Sequence, residues 1–127
     1  DGIFAYQLAV VVDDAAMGIT EVVRGNDLLS STPRQMYLQH LLGYPHPHYA
    51  HVPLLVAADG RRLSKRDHDC GMDELRERFG SPEALLGYIA HLAGIAPDVK
   101  PRSAAELVEL FSWDAIRTHR DDIVIAP

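Results

Sequence analysis

The first part of the chain carries two short apolar runs, and each of them predicts a β-strand. Residues 3–12 are mostly apolar and end in three consecutive valines, and residues 19–23 form a second run that polar turn residues at 24–27 close. Continuous apolar runs are typical of strands that are buried on both faces of a parallel sheet. We therefore predict strands over 3–12 and 19–23, the first of which ends at Asp13 and Asp14.

The following segment predicts a helix and a third strand. A Ser-Thr-Pro sequence at 31–33 is typical of a helix start, because Ser and Thr cap the first turn and Pro fits its first position. We expect this helix to end at Gly43. Residues 51–57 form a third apolar run, and the Asp-Gly pair at 59–60 predicts a turn. Strand, helix and strand in this order predict an α/β fold.

From Met72 onward the apolar spacing changes to that of helices. A short helix is predicted over residues 72–79, and Ser-Pro-Glu at 81–83 opens a longer one whose apolar residues recur at i, i+3, i+4 and i+7. A capping box at 103–106 precedes another helical segment. We therefore expect a small helical unit that is followed by an extended tail at 122–126.

These patterns divide the chain into two predicted domains, residues 1–69 and residues 70–127. The sequence has 127 residues, of which 47% are hydrophobic, and this composition fits a globular protein rather than a disordered one. A net charge of -6 argues against a protein that coats nucleic acid with a broad basic surface. The single cysteine, Cys70, excludes an internal disulfide and a multi-cysteine zinc site. No apolar run approaches the roughly 18 residues of a membrane helix. We therefore expect a reducing cytoplasmic compartment and no membrane partner.

The densest group of cations follows the third predicted strand and its glycine turn. Four of the twelve lysines and arginines lie within residues 61–66. Ligands of α/β proteins bind at the carboxyl ends of the strands, and a lysine there can reach phosphate oxygens. A basic turn is also a common solvated surface, which is the alternative interpretation of these residues taken alone.

The order of residues in this loop resembles a known family signature. The stretch RLSKR at 62–66 resembles the KMSKS motif of the class I aminoacyl-tRNA synthetases, in the LSKR form of the glutamyl branch, with Arg62 in place of the first lysine. Further stretches resemble that branch in order and spacing: FAYQLAVVVDD at 4–14, MGIT at 17–20, VRGND at 23–27, STPRQ at 31–35 and HVPLL at 51–55. Segments SPEALL at 81–86 and ELVELF at 106–111 resemble the start of the helical domain that follows the catalytic core.

The resemblance implies a fold and a role for individual residues. The chain should be the C-terminal half of a Rossmann-like class I synthetase core, followed by a small helical unit that resembles a stem-contact domain. Tyr6 and Arg24 match positions that bind the substrate glutamate, and an arginine fork does pair bidentately with a carboxylate. A core aromatic and a surface turn residue are the alternatives for these two positions. Lys65, with Ser64, matches the catalytic positions that hold the phosphates of ATP, which is used with Mg²⁺.

The remaining loop positions also receive roles from the resemblance. The ATP-binding loop comprises Arg62, Leu63, Ser64, Lys65 and Arg66. Contacts with tRNA are expected at Arg61 and Arg66.

The other signature of the class I core, a His-x-Gly-His type motif, is not in this sequence. The resemblance therefore implies that the first half of the core, with the adenine site and any zinc site, lies outside this portion. We expect residues 1–127 to begin inside a domain and to be inactive alone. The parent protein is expected to be a ligase that activates L-glutamate with ATP.

The acceptor RNA is expected to be tRNA(Asp), because the sequence ends soon after Trp113, as in the short paralogue that loads glutamate onto queuosine. Residues 3–5, Ile-Phe-Ala rather than Thr-Pro-Thr before Tyr6, favour the same paralogue. The first alternative is an ordinary glutamyl-tRNA synthetase that charges tRNA(Glu). The others are a non-catalytic tRNA-binding module and a generic α/β domain with an accidental LSKR string.

Two further groups of polar residues are interpreted as structural. His46, His48 and His51 lie among prolines without a nearby acidic partner, so we interpret them as exposed loop histidines and predict no metal site. Asp13 and Asp14 would point to opposite faces of a strand and so would not share one site.

Overall fold

The computed structural model describes residues 2–57, 59–61 and 72–125. It divides the chain into two compact units, Asp1–Val52 and Pro53–Pro127. The domain boundary predicted between residues 69 and 70 lies outside the described residues and stays a prediction. In the part of the chain that is described, no helix is both long and apolar enough to cross a bilayer.

The first unit is built around two parallel strands. Helix α1 (Tyr6–Ala16) precedes strand β1 (Glu21–Gly25), a 3₁₀ helix (Asn26–Ser31), helix α2 (Thr32–Leu42) and strand β2 (His48–Val52). The two strands pair from Glu21 opposite His48 to Gly25 opposite Val52. Parallel strands need a crossover between them, and α2 supplies it. The predicted α/β fold is confirmed.

The strand predicted over residues 3–12 is wrong, because α1 occupies that region. An apolar run of this length fits a helix as well as a strand, and alanine and leucine favour the helix. One side of α1 is buried and the other is not: Val11 is 1% exposed, whereas Val12 is 37% exposed. Asp13 and Asp14 consequently lie in the last turns of a helix, not at the end of a strand.

The other predictions for this unit are confirmed in part. Helix α2 begins and ends at the expected residues, although Ser31 makes no side-chain capping bond. Gly43 ends it with a left-handed φ of 70°, a conformation that glycine adopts without strain. The second strand lies two residues later than predicted, so Arg24 is in β1 rather than in a turn. The predicted third strand is replaced by β2 and by β3 (Leu55–Val56), which are separate elements. Two residues separate them, and the first of these, Pro53, has no N–H group for a sheet.

The described part of the second unit combines four helices with two short parallel strands. The helices are α3 (Met72–Phe79), α4 (Pro82–Leu92), α5 (Ala104–Leu110) and α6 (Trp113–Thr118). The predicted helix start at Ser81 and the predicted capping box between Ser103 and Glu106 are both present. The expected tail contains strand β4 (Ile123–Val124), which pairs with β3 through Leu55 opposite Ile123. Buried apolar side chains in this unit include Val56, Ala90, Ala93, Ala96, Ile116 and Ile125.

Candidate functional site

One group of polar side chains in the first unit lies at the carboxyl ends of β1 and β2. Arg24 is the second-last residue of β1 and lies opposite His51 in the strand register. Helix α2 begins nearby, because the 3₁₀ helix that follows Gly25 leads directly into Thr32. Strand ends of parallel sheets are where α/β proteins bind their ligands.

Arg24 is half-buried and held in place by neutral groups. Its Nε atom donates a hydrogen bond to Nε2 of His51 at 3.3 Å, and Nη2 donates to Oγ1 of Thr32 at 2.8 Å. The guanidinium carbon lies 4.9 Å from the centre of the Tyr49 ring, in cation–π range. Among the described residues no carboxylate pairs with Arg24, and Nη1 makes no hydrogen bond. The guanidinium is therefore oriented but not neutralised.

His51 differs from its interpretation as an exposed loop histidine. It belongs to β2, is half-buried, and its Nε2 atom lies 3.1 Å from Oγ1 of Thr32 as well as within reach of Arg24. Burial lowers the pKa of His51 from 6.5, and the charge of Arg24 lowers it further. The ring is therefore neutral at pH 7, which its role as a hydrogen-bond acceptor requires.

Tyr6 is the first residue of α1 and is 57% exposed, so it is not a core aromatic within the described chain. Its neighbour Gln7 is fixed at both ends of its amide. Nε2 of Gln7 donates to Oγ of Ser31 at 3.1 Å, and Oε1 accepts from Nε2 of Gln35 at 2.7 Å. Because Ser31 adjoins Thr32, these bonds fix the start of α1 beside the residue that holds Arg24.

The buried side of α2 is polar, and sequence reasoning missed it. Thr32, Gln35 and Gln39 are 9%, 1% and 2% exposed, whereas Tyr37 and Leu41 of the same helix are exposed. Gln39 donates from Nε2 to the hydroxyl of Tyr49 at 2.8 Å. The signal was the spacing of three and four residues between these polar positions, which places them on one helix face.

The three histidines do not gather into a metal site. Nδ1 of His46 lies 3.0 Å from Oε1 of Gln39, and His51 is engaged by Thr32. Across the described residues, no group of three or more His, Cys, Asp or Glu side chains is arranged to hold a metal ion. His46 and His48 instead line an open cleft of about 290 Å³ at the amino ends of the strands.

In the second unit, a tight turn follows β3 and leads towards the predicted ATP-binding loop. The amide of Ala57 donates to the carbonyl of Arg61 at 2.8 Å, and Gly60 takes a left-handed φ of 80°. Arg61, a predicted tRNA contact, donates from Nε to Asp59 at 2.6 Å. The backbone amide of Arg61 also donates to Oδ1 of Asp59 at 3.0 Å, and the two hydrogen bonds lower the pKa of Asp59. The loop residues lie outside the described residues: Arg62, Leu63, Ser64, Lys65 and Arg66.

Strand β4 fixes the other side of β3. The amide of Leu54 donates to Oδ1 of Asp122 at 3.2 Å, and the amide of Ile125 donates to the carbonyl of Val56 at 2.9 Å. The strand that precedes the turn is therefore anchored at both of its ends.

Comparison with known proteins identifies a family and several relatives. The sequence model of the family described as "tRNA synthetases class I (E and Q), catalytic domain" matches residues 1–118. The chain is 55% identical over 119 residues to the Glutamyl-Q tRNA(Asp) synthetase of Nitratidesulfovibrio vulgaris, covering 93% of this chain and 36% of that protein. It is 54% identical over 125 residues to the protein of the same name from Nocardia farcinica, covering 98% and 38%.

Other matches carry the name of the ordinary ligase. The Glutamate--tRNA ligase of Geotalea uraniireducens is 45% identical over 116 residues, which cover 91% of this chain and 25% of that one. The crystal structure of a Glutamate-tRNA Synthetase from Elizabethkingia anophelis matches with a TM-score of 0.74 and 28% identity, covering 98% of this chain and 29% of that chain. The chain thus spans little more than a third of the length of the glutamyl-Q relatives it matches.

Proposed function

The chain belongs to the class I tRNA synthetase family (E and Q), and on that premise we propose that it is the second part of a glutamate-activating catalytic core. In this proposal residues 1–69 complete the nucleotide-binding core and residues 70–127 form the helical domain that follows it. The complete protein is a ligase that joins glutamate to a tRNA at the expense of ATP.

The proposal rests on the position of Arg24 and on its hydrogen-bond partners. Its guanidinium lies at the carboxyl ends of two parallel strands, oriented by His51 and Thr32 and unpaired with any carboxylate of the described chain. A guanidinium in this state is a ready partner for a carboxylate ligand. We assign it to the side-chain carboxylate of L-glutamate, with the exposed hydroxyl of Tyr6 as a second, orienting contact.

The proposed chemistry forms an acid anhydride and then passes the glutamyl group on. A carboxylate oxygen of glutamate's α-carboxyl group attacks the α-phosphorus of ATP, and the bond to pyrophosphate breaks. Lys65 and Ser64 in the 62–66 loop stabilise the negative charge of the departing phosphates, and Mg²⁺ enters with ATP. A nucleophile of the tRNA then displaces AMP from the glutamyl carbonyl. Arg61 and Arg66 serve as contacts for the RNA.

We favour tRNA(Asp) that carries queuosine as the acceptor. The two most similar relatives described above are both named glutamyl-Q tRNA(Asp) synthetases. A net charge of -6 gives the chain no broad basic field for a whole tRNA. A single-stranded anticodon loop needs less surface, because its bases can be splayed out and read individually. The 45% identity to a named glutamate–tRNA ligase supports tRNA(Glu) as the second candidate.

The deciding assay measures transfer of labelled glutamate by the complete protein. Three RNAs are compared: tRNA(Asp) with queuosine, tRNA(Asp) with guanosine at that position, and tRNA(Glu). The proposal predicts label on the first RNA alone, together with glutamate-dependent ATP–pyrophosphate exchange in the absence of tRNA. Label on tRNA(Glu) alone would contradict the proposal and indicate an ordinary glutamate–tRNA ligase.

A second measurement tests whether residues 1–127 hold only part of the catalytic core. Residues 1–127 alone should give no ATP–pyrophosphate exchange, because catalysis of phosphoryl chemistry depends on positioning and half of the positioning groups are missing. Exchange above background by this chain would contradict the assignment as an incomplete core.

A further inference from the structure

We propose that His51 is a positioning residue that holds the Arg24 fork ready for the glutamate carboxylate and releases it when the imidazole is protonated. The proposal rests on the assignment of Arg24 to glutamate in the proposed function. Its basis is the arrangement of three side chains, His51, Thr32 and Arg24, at the ends of the parallel strands.

The donors and acceptors in this cluster fix the protonation of the His51 ring. Nε of Arg24 always carries a hydrogen, so its 3.3 Å bond requires a lone pair on Nε2 of His51. The hydroxyl of Thr32 accepts from Nη2 of Arg24, and its single hydrogen has two acceptors within reach, the carbonyl of Leu28 at 3.3 Å and Nε2 of His51 at 3.1 Å. His51 must therefore be neutral, with its proton on Nδ1, for the cluster to be satisfied.

Protonation of the ring reverses this arrangement. Nε2 of the imidazolium would carry a hydrogen that faces the Nε hydrogen of Arg24, and two positive charges would stand within hydrogen-bond distance. Arg24 would lose the bond from Nε and keep only the bond from Nη2 to Thr32. The fork could then no longer meet a carboxylate without first being reoriented, which weakens binding.

The surroundings of the ring favour its neutral form. The charged groups on the neighbouring elements are Glu21 and Arg24 in β1, Asp27 in the 3₁₀ helix and Arg34 in α2. Tyr49, in β2 itself, stacks on the ring at 6.4 Å. Of these, Arg24 acts on the pKa of His51, and it acts in the same direction as burial, downwards. Affinity for glutamate should therefore be complete at neutral pH and fall as the pH drops below the ordinary histidine pKa of about 6.5.

A neutral acceptor suits this position better than a carboxylate would. An aspartate or glutamate beside Arg24 would neutralise the guanidinium and compete with the substrate for its N–H groups. Imidazole and hydroxyl groups orient the fork but leave its charge for the ligand. This is why a histidine, rather than an acidic residue, is the partner expected at a carboxylate-binding arginine.

The experiment compares two substitutions of His51 in the complete protein with a control on the same strand. In His51→Gln, the amide oxygen takes the place of Nε2 as acceptor but does not titrate. In His51→Leu, the acceptor is removed. His48→Gln removes an exposed histidine from β2 and leaves the cluster intact. KM for glutamate, KM for ATP and kcat of ATP–pyrophosphate exchange are measured from about pH 5 to pH 8, on both sides of the ordinary histidine pKa.

At pH 7.5, His51→Leu should raise KM for glutamate about five- to tenfold, the size expected for one lost hydrogen bond, with KM for ATP and kcat unchanged. His51→Gln should stay close to wild type at pH 7.5 and should lack the rise in KM for glutamate that wild type and His48→Gln show below about pH 6.5. A simple structural defect would not remove that pH dependence.

Each contrary result has its own meaning. An acid-side rise that persists in His51→Gln, or a wild-type KM for glutamate in His51→Leu, overturns the role of His51. If His51→Leu does not fold, the pH profile of His51→Gln still decides. Failure of the proposed function looks different: Arg24→Ala then keeps a wild-type KM for glutamate, or the wild-type protein shows no glutamate-dependent exchange at all, and both proposals fall.

Discussion

Replacement of Arg24 tests the centre of the proposed site. The side chain makes two internal hydrogen bonds, to His51 and Thr32, and leaves Nη1 without a partner in the described chain. Arg24→Ala therefore removes the fork that we assign to glutamate. A hydrogen bond to a charged group contributes about 1.5–3 kcal/mol, which corresponds to a loss of affinity of about 10- to 150-fold.

The loss should appear in KM for glutamate rather than in kcat. The side-chain carboxylate of glutamate takes no part in bond making, so its contact with Arg24 is equally strong in the ground state and the transition state. Arg24→Lys should recover part of the affinity, because an ammonium group keeps the charge but cannot pair bidentately.

The assay is ATP–pyrophosphate exchange by the complete protein, with glutamate and ATP varied in turn. The control is Arg34→Ala, which removes an exposed arginine from α2. An Arg24→Ala protein with a wild-type KM for glutamate would refute the reasoning. Equal losses in KM for glutamate and KM for ATP would show that the substitution disturbs the fold instead.

Three further predictions concern the second unit and the loop. Lys65→Ala should slow adenylate formation by about 2.7–4 kcal/mol with little effect on glutamate affinity, as measured by single-turnover kinetics. Gly87→Ala should destabilise α4 by about 1–2 kcal/mol, because the added Cβ would overlap the carbonyl oxygen of Lys100. Helix propensity alone predicts the opposite, a stabilisation. Hydrogen exchange of the α4 amides measures whether the helix is destabilised or stabilised. The side-chain hydrogen bond from Arg102 is the main reason that the pKa of Asp98 is lowered to about 2. The stabilisation of the fold by this pair should therefore be complete above about pH 4 and lost as the pH falls through 2. A carboxyl NMR titration of Asp98 measures this pKa.

The helices with strong end signals could be predicted from the sequence with accurate limits. Pro33 and Gly43 marked both ends of α2, and Ser103 with Glu106 marked the start of α5. Each of these residues acts through its own backbone or through a neighbour within one turn, so the signal is local. Local signals of this kind do not depend on the tertiary packing of the rest of the chain.

Helix α1 could not be predicted because its signal was ambiguous. A run of valines favours a strand by propensity, and the run alone does not reveal a helical period. The choice was decided by which side chains become buried, as Val11 is and Val12 is not. That outcome depends on the packing of α1 against α2, which is a tertiary effect. The roles of Tyr6 and Arg24 came from family resemblance, and they stay predictions until substitutions are measured.

The polar cluster of the first unit was missed for a related reason. Gln7 and Gln35 are separated by 28 positions in the sequence, and His51 lies 27 positions from Arg24. Partners so distant are joined only by the crossover between parallel strands. A single sequence gives the residue types at each end, but not that they meet.

Helix α2 buries polar side chains and exposes apolar ones, and this arrangement connects the fold to the proposed function. A helix at the surface of a unit normally buries apolar residues, yet α2 buries Thr32, Gln35 and Gln39 and exposes Tyr37 and Leu41. Buried polar groups are stable only when they are hydrogen-bonded, and their bonds require defined geometry, unlike apolar contacts. The bonds that these three residues make reach α1, β1 and β2, so they fix the relative placement of every element that carries a proposed glutamate contact. An interior of this kind stabilises one arrangement of Arg24 at the strand ends, and the proposed recognition of a small, charged amino acid depends on that arrangement.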